Sequence, residues 1–105
     1  MGMKDTKYEV EGRNLFVELC SEIDHHQVTA IANEINHYMQ RTLSKNIIFD
    51  FRRVSFMDSS GIGLVMGAYK QAVRLGGAVM VCNLSKKVDR VFRVSGVYRF
   101  VRCMS

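Results

Sequence analysis

"NIIFDFRRVSFMDSSGIGLVMGAYKQAVRLGGAVMVC", residues 46–82, sets a helical pattern between two short apolar runs. NIIFDF (46–51) is nearly all apolar, which suits a strand in a sheet covered on at least one face. Ile62, Val65, Met66, Tyr69 and Val73 then recur at helical spacing. Gly76 and Gly77 end that helix, because glycine tolerates the left-handed backbone just beyond a helix C-terminus. AVMVC (78–82) reads as a second buried strand. Strand, helix and strand in this order form a crossover unit that joins parallel neighbours.

The flanking segments extend the pattern. KYEV and NLFVELC lie on either side of EGRN, which predicts a β-hairpin with Gly12 in its turn. Val28, Ile31, Ala32, Ile35 and Met39 mark one stripe of an amphipathic helix running to about Leu43. Asp24 with Gln27 three residues later resembles a capping box at its start. Ser85 can cap a third, short helix carrying Val88, Val91 and Phe92, stopped by Gly96. FVRCM closes the chain as a last strand or an extended tail. The predicted order is β-β-α-β-α-β-α-β: an α/β fold whose mixed sheet begins with an antiparallel hairpin. Sites in such sheets gather at loops beyond the carboxyl ends of strands. MDSSG (57–61) and SEIDHH (21–26) both occupy such positions, so they can form one surface.

Composition narrows the class. The 105 residues suit one domain, 1–105, with 48% hydrophobic and 24% charged residues. No apolar run reaches the roughly 18 to 20 residues a membrane span needs, so no membrane association is expected. The polar start MGMKDTKYEV has no signal-peptide core, although Gly2 fits a loose myristoylation pattern. Cys20, Cys82 and Cys103 have no metal-ligand spacing; the first two end strand-like runs and read as buried thiols in a reducing, cytoplasmic setting. The net charge is +5, but the basic residues are scattered and no helix-turn-helix pattern accompanies them. Direct DNA binding is therefore not predicted; a solvated surface, or an acidic protein partner, fits better.

The serine loop admits several chemistries. A nucleophilic serine needs a base oriented by a third group, and Asp24, His25 and His26 are the candidates. The loop lacks the GxSxG elbow, however, and His37 lies inside the first helix. As metal ligands, the adjacent histidines diverge on a helix or strand and seldom share an ion. Gly61 and Gly63 suggest a phosphate cradle, but the Walker lysine and spacing are absent. Two readings remain level on physical grounds. Ser59 or Ser60 caps the second helix, or one of them accepts a phosphate, which a helix N-terminus tolerates beside Asp58.

ELCSEIDHH, VSFMDSSGIGLVMGAYKQ, GGAVMVCNLSKKVDRVFRVSG and YRFVR together resemble a STAS-domain anti-sigma factor antagonist of the Bacillus and Clostridium sporulation type, over about residues 7–104. The resemblance implies a phosphoprotein of transcription regulation and not an enzyme. Unphosphorylated, it binds an anti-sigma factor serine kinase, in its ADP- or ATP-bound state, and so frees the sigma factor. Phosphorylation of Ser59 inactivates it, and a PP2C-type phosphatase restores it. The resemblance places Asp24 at the kinase contact beside Asp58, with Ser60, Gly61 and Gly63 shaping the loop and helix start. It implies no catalytic residue, no metal and no cofactor. The other setting it allows is a STAS protein-interaction module of a stress-signalling or transport-accessory complex. Three departures stand out: Ser21 replaces a glycine common in the family, the family's further helix after the last strand has no counterpart before Ser105, and the strong positive charge is unlike the more acidic members expected. A sheet face bared there would favour dimers or lower stability.

Overall fold

The chain runs β1 (Lys7–Glu11), β2 (Asn14–Glu18), β3 (Glu22–Ile23), α1 (His25–Arg41), β4 (Asn46–Asp50), β5 (Phe56–Met57), α2 (Ser59–Arg74), β6 (Val79–Cys82), α3 (Lys86–Ser95) and β7 (Arg102–Met104). A 3-10 turn, Val97–Arg99, separates the last two. These elements belong to a computed structural model that describes residues 5–104; the Gly2 acylation pattern lies outside the described residues. β1 and β2 form the expected hairpin, and Gly12 in its turn has φ +62°, a conformation glycine adopts freely. The main sheet has the order β1-β2-β4-β6-β7, parallel from β2 onward. FVRCM thus ends in a true strand, with Val81 paired to Cys103.

Period-two alternation splits the sheet into two unlike faces. Leu15, Val17, Ile47, Phe49, Val79 and Val81 point to one face and are almost wholly buried. They pack with Ile31, Ile35 and Met39 of α1, Leu64, Val65, Ala68 and Ala72 of α2, and Val88 and Phe92 of α3. Phe51 meets Phe92 edge-on, with ring centroids 5.3 Å apart. The opposite face carries the row Glu9, Phe16, Ile48, Met80 and Arg102. Ile48 is buried there, apart from the main core, and a trough of about 600 Å³ runs over Phe16, Ile48, Asp50 and Met104. One face of the sheet is covered and the other is open.

Several expectations need correction. The first helix stops at Arg41, short of Leu43, because the extended Thr42 turns its hydroxyl back to the Tyr38 carbonyl (2.8 Å). Ala32 lies off the buried stripe. In α2 the buried line is Gly61, Leu64, Val65, Ala68 and Ala72, leaving Val73 49% exposed. Small residues let this helix approach its neighbours closely, so weighting by large side chains rotates the expected stripe. Cys20 is buried as expected, but Cys82 is only half-buried, facing the open trough.

The two glycines after α2 differ in role. Gly76 takes φ +79° and donates to the Val73 carbonyl, while Gly77 donates to Ala72, the paired bonds of a Schellman ending. A Cβ on Gly77 would collide with the Lys45 carbonyl, so close approach, and not dihedral freedom, requires glycine there. Among the described residues no helix is long and apolar enough to cross a membrane.

Asp50 fastens the loops beyond β4 and β6. Its carboxylate accepts from the Arg52 N–H (2.9 Å), the Arg52 Nε (3.0 Å) and the Asn83 amide (3.0 Å). Partial burial works to raise its pKa, but the Asn83 and Arg52 hydrogen bonds and the guanidinium charge outweigh it and hold it below the ordinary value. A carboxylate with a depressed folded-state pKa adds stability above its unfolded pKa and loses it as pH falls through the folded value. Urea unfolding at pH 7 and pH 3 tests this. The wild type loses stability below about pH 4, and Asp50→Asn is expected to lose measurably less across the same interval. Equal losses in the two proteins would remove Asp50 from the acid response.

Candidate functional site

The two loops singled out by sequence meet through a structure that periodicity does not reveal. β3 and β5, two residues each, pair in parallel, with Glu22 opposite Phe56 and Ile23 opposite Met57. Ser55 reinforces the junction, donating its N–H (2.9 Å) and hydroxyl (3.3 Å) to the Ser21 carbonyl. The next residue on each strand is an aspartate, and each aspartate starts a helix. Asp24 accepts from the Gln27 N–H at 3.0 Å, and Asp58 from the Ser60 N–H at 2.8 Å. Both have extended backbones, as a residue just outside a helix should. The site therefore opens on two neighbouring carboxylate caps.

The capping box at Asp24 is half realised. Gln27 receives the cap through its backbone, but its side-chain oxygen accepts from the Cys20 thiol at 3.7 Å. That contact ties the start of α1 to the end of the β2 segment. His25 and His26 occupy the first exposed helical positions, with their rings 6.0 Å apart. Among the described residues no three His, Cys, Asp or Glu side chains gather as a metal site would require.

Asp58 takes the capping role that the sequence left open between Ser59 and Ser60. Ser59 becomes the first residue of α2; it is exposed, and its hydroxyl makes no hydrogen bond among the described residues. Among the described residues no imidazole is hydrogen-bonded to it. Ser60 contributes its backbone N–H to the cap.

The neighbouring glycines separate by packing. Gly61 is buried on the thioether of Met57, and an added Cβ would collide with that side chain. At Gly63 an added Cβ would meet nothing within 4 Å. The chain's own packing calls for glycine at the first position and not at the second.

On the far side of Ser59 lies a surface that sequence reasoning missed. A groove of about 460 Å³ runs between α2 and α3, lined by Ser59, Ile62, Arg90, Val91, Val94 and Ser95. Val94 is 84% exposed, and Phe56, on β5, is 59% exposed. The signal in the sequence was Val94, an apolar residue off the buried stripe of α3. It becomes meaningful only once the fold sets it beside the serine loop.

Comparison with known proteins is consistent with this geometry. A STAS-domain family model matches residues 5–105. The anti-sigma F factor antagonist of Paenibacillus polymyxa is 32% identical over 87 residues, covering 83% of this chain and 74% of that protein. The structure of the anti-sigma factor antagonist SpoIIAA in its unphosphorylated form superposes with a TM-score of 0.85 at 32% identity, covering 96% of this chain and 89% of that one. The Bacillus cell fate determinant SpoIIAA in its phosphorylated form gives 0.76 at 31% identity, covering 96% and 92%.

The packing difference between the glycines is measurable. Gly61→Ala is expected to cost about 1–3 kcal/mol, the usual range for forcing extra volume into a filled site. Gly63→Ala should be neutral or stabilising by about 0.5–1 kcal/mol, since alanine is the better residue inside a helix. Denaturant unfolding of both variants checks this, and equal effects would mean that Met57 does not fill the space under Gly61.

Proposed function

The chain belongs to the STAS-domain family, and within it we propose that this protein is an anti-sigma factor antagonist switched by phosphorylation of Ser59. One observation carries the reading: Asp58, not Ser59, caps α2, so the Ser59 hydroxyl is exposed and has no structural duty. A group attached there alters the surface without removing a bond that holds the fold. The likeness to an antagonist solved in both unphosphorylated and phosphorylated forms supports the same reading.

In this scheme the unmodified protein docks on an anti-sigma factor serine kinase with ADP or ATP bound, and the sigma factor is released. Ile62, Val91 and Val94 offer apolar contact beside Ser59, Asp24 and Asp58 offer charge, and the open space over Gly63 lets a partner approach the backbone. During phosphorylation the Ser59 oxygen forms a bond to the γ-phosphorus of ATP as the bond to ADP breaks, and the hydroxyl proton is lost. The chain is substrate and ligand in this step, not catalyst. A PP2C-type phosphatase reverses it.

The modification adds about −1.5 to −2 charge next to the Asp58 carboxylate. In the free protein that charge sits at a helix N-terminus, where it is favourable by roughly 0.3–1 kcal/mol. Inside a docked interface the same charge is desolvated and costs several kcal/mol, where about 1.4 kcal/mol already means tenfold in affinity.

Incubation with the cognate kinase and ATP, followed by mass spectrometry, should place one phosphate on Ser59. Ser59→Ala should abolish labelling and Ser60→Ala should retain most of it; labelling chiefly on Ser60 would overturn the assignment. Ser59→Asp should melt within a few degrees of wild type while calorimetric binding to the kinase collapses. A melt lowered in step with the lost binding would make the loop structural. Asp24→Asn, which preserves the cap, should weaken kinase binding with the fold intact; unchanged binding and labelling would remove Asp24 from the interface.

A further inference from the structure

We infer that Arg90 is the cationic partner of the phosphate on Ser59, so that modification closes the groove between α2 and α3 as well as adding charge beside Asp58. This rests on the reading of Ser59 as the phosphoacceptor and assigns the residue that receives the group. Ser59 on α2 and Arg90 on α3 line the same groove, whose other walls are chiefly Ile62, Val91 and Val94. Arg93, one turn away, is held by Asp89 at 2.7 Å, and Arg52 by Asp50 at 3.0 Å. Arg90 has neither an ion pair nor a hydrogen bond among the described residues. Of the side chains lining the groove, it alone is cationic.

The chemistry of the pair follows from geometry. A guanidinium presents a planar fork of N–H donors that matches two phosphate oxygens at once. Apolar walls reduce solvent screening of the contact relative to open water. The aliphatic stem of Arg90 can lie over Val91 and Val94 while its head reaches the phosphate. Two consequences come from one modification. The apolar floor next to Ser59 is covered, and the free cation of the groove becomes unavailable to an acidic group on the partner.

The test uses the full chain with phosphoserine installed at position 59 by genetic encoding, so that no kinase enters the experiment. Phosphorus NMR follows the second ionisation of the phosphate, which lies near pH 6 when the group is solvated. A neighbouring cation favours the dianion, so the midpoint in the otherwise native chain should lie at least about half a pH unit below that in Arg90→Gln. Arg90→Lys, which keeps the charge without the fork, should fall between them. Asp24, Asp58, His25, His26 and the free amides of α2 act on the phosphate equally in all three proteins and cancel in the comparison. Arg90 is exposed, and matched melts of the unmodified variants confirm equal folding. Coincident titrations in the three proteins would overturn the assignment while leaving kinase labelling of Ser59 untouched. Loss of labelling at Ser59 would instead sink the phosphoacceptor reading and leave this titration as it stands.

Discussion

The parallel pairing of Ile23 with Met57 sets the position of everything at the serine-loop end of the molecule. Each strand is only two residues long, yet each leads directly into an aspartate and then a helix. Matching the strands therefore matches the caps, and matching the caps sets the starts of α1 and α2 side by side. Burial of Ile23 and Met57 locks the register, because a slip of one residue would turn the slipped strand's apolar side chain outward. Met57 then serves a second time by filling the space under Gly61. Ser59 lies between this fixed base and the groove toward α3.

Capping by carboxylate has a consequence that capping by serine would not. A serine cap whose hydroxyl became phosphorylated would exchange a structural hydrogen bond for a bulky dianion at the same atom. With Asp58 holding the Ser60 N–H, the capping oxygen and the proposed phosphoacceptor oxygen of Ser59 belong to different residues. Substitution of a cap costs about 1 kcal/mol, a sizeable fraction of the 5–15 kcal/mol that holds a domain of this kind together. On the proposed reading, keeping that contribution outside the phosphorylated residue lets the modified and unmodified chains share one fold. The divided roles are also why adjacent Asp58, Ser59 and Ser60 are not redundant.

Much of the architecture was legible because it rests on signals that repeat. The hairpin around Gly12, the apolar strands at 46–50 and 79–82 and the Ser85 cap on α3 each follow from alternation, apolar runs or known cap chemistry. What escaped has physical reasons. β3 and β5 are too short for any period to show, so the contact that unites the two loops was expected only in outline. The α2 stripe came out rotated because Gly61, Ala68 and Ala72 bury small side chains that carry little weight in a hydrophobic pattern. The choice among Asp58, Ser59 and Ser60 as cap could not be made from composition, since Asp and Ser both suit the position. The contribution of α3 stayed hidden for another reason: Val91 reads as core in the helix, and its role as a groove wall exists only after α3 has folded against β5 and α2.

On the proposed reading, the polar and apolar groups around Ser59 let one small group govern a whole interface. Exposed aliphatic residues are ordinary when scattered, but the half-buried Ile62 and Val91 and the exposed Val94 line one groove together with Ser59. Apolar contact yields about 25 cal/mol for each Å² buried, so the few side chains of a groove this size contribute only a few kcal/mol. Desolvating a phosphate inside a docked interface costs a comparable amount. Similar magnitudes with opposite signs are what a reversible switch needs: a much larger apolar surface would bind despite the phosphate, and a much smaller one would not bind without it. The contest also has to occur in one place, because charges separated by more than about 8–10 Å of salt solution scarcely interact. The fold meets that condition by packing α3 on β5 and α2, which brings the apolar wall and the Ser59 oxygen to the same groove.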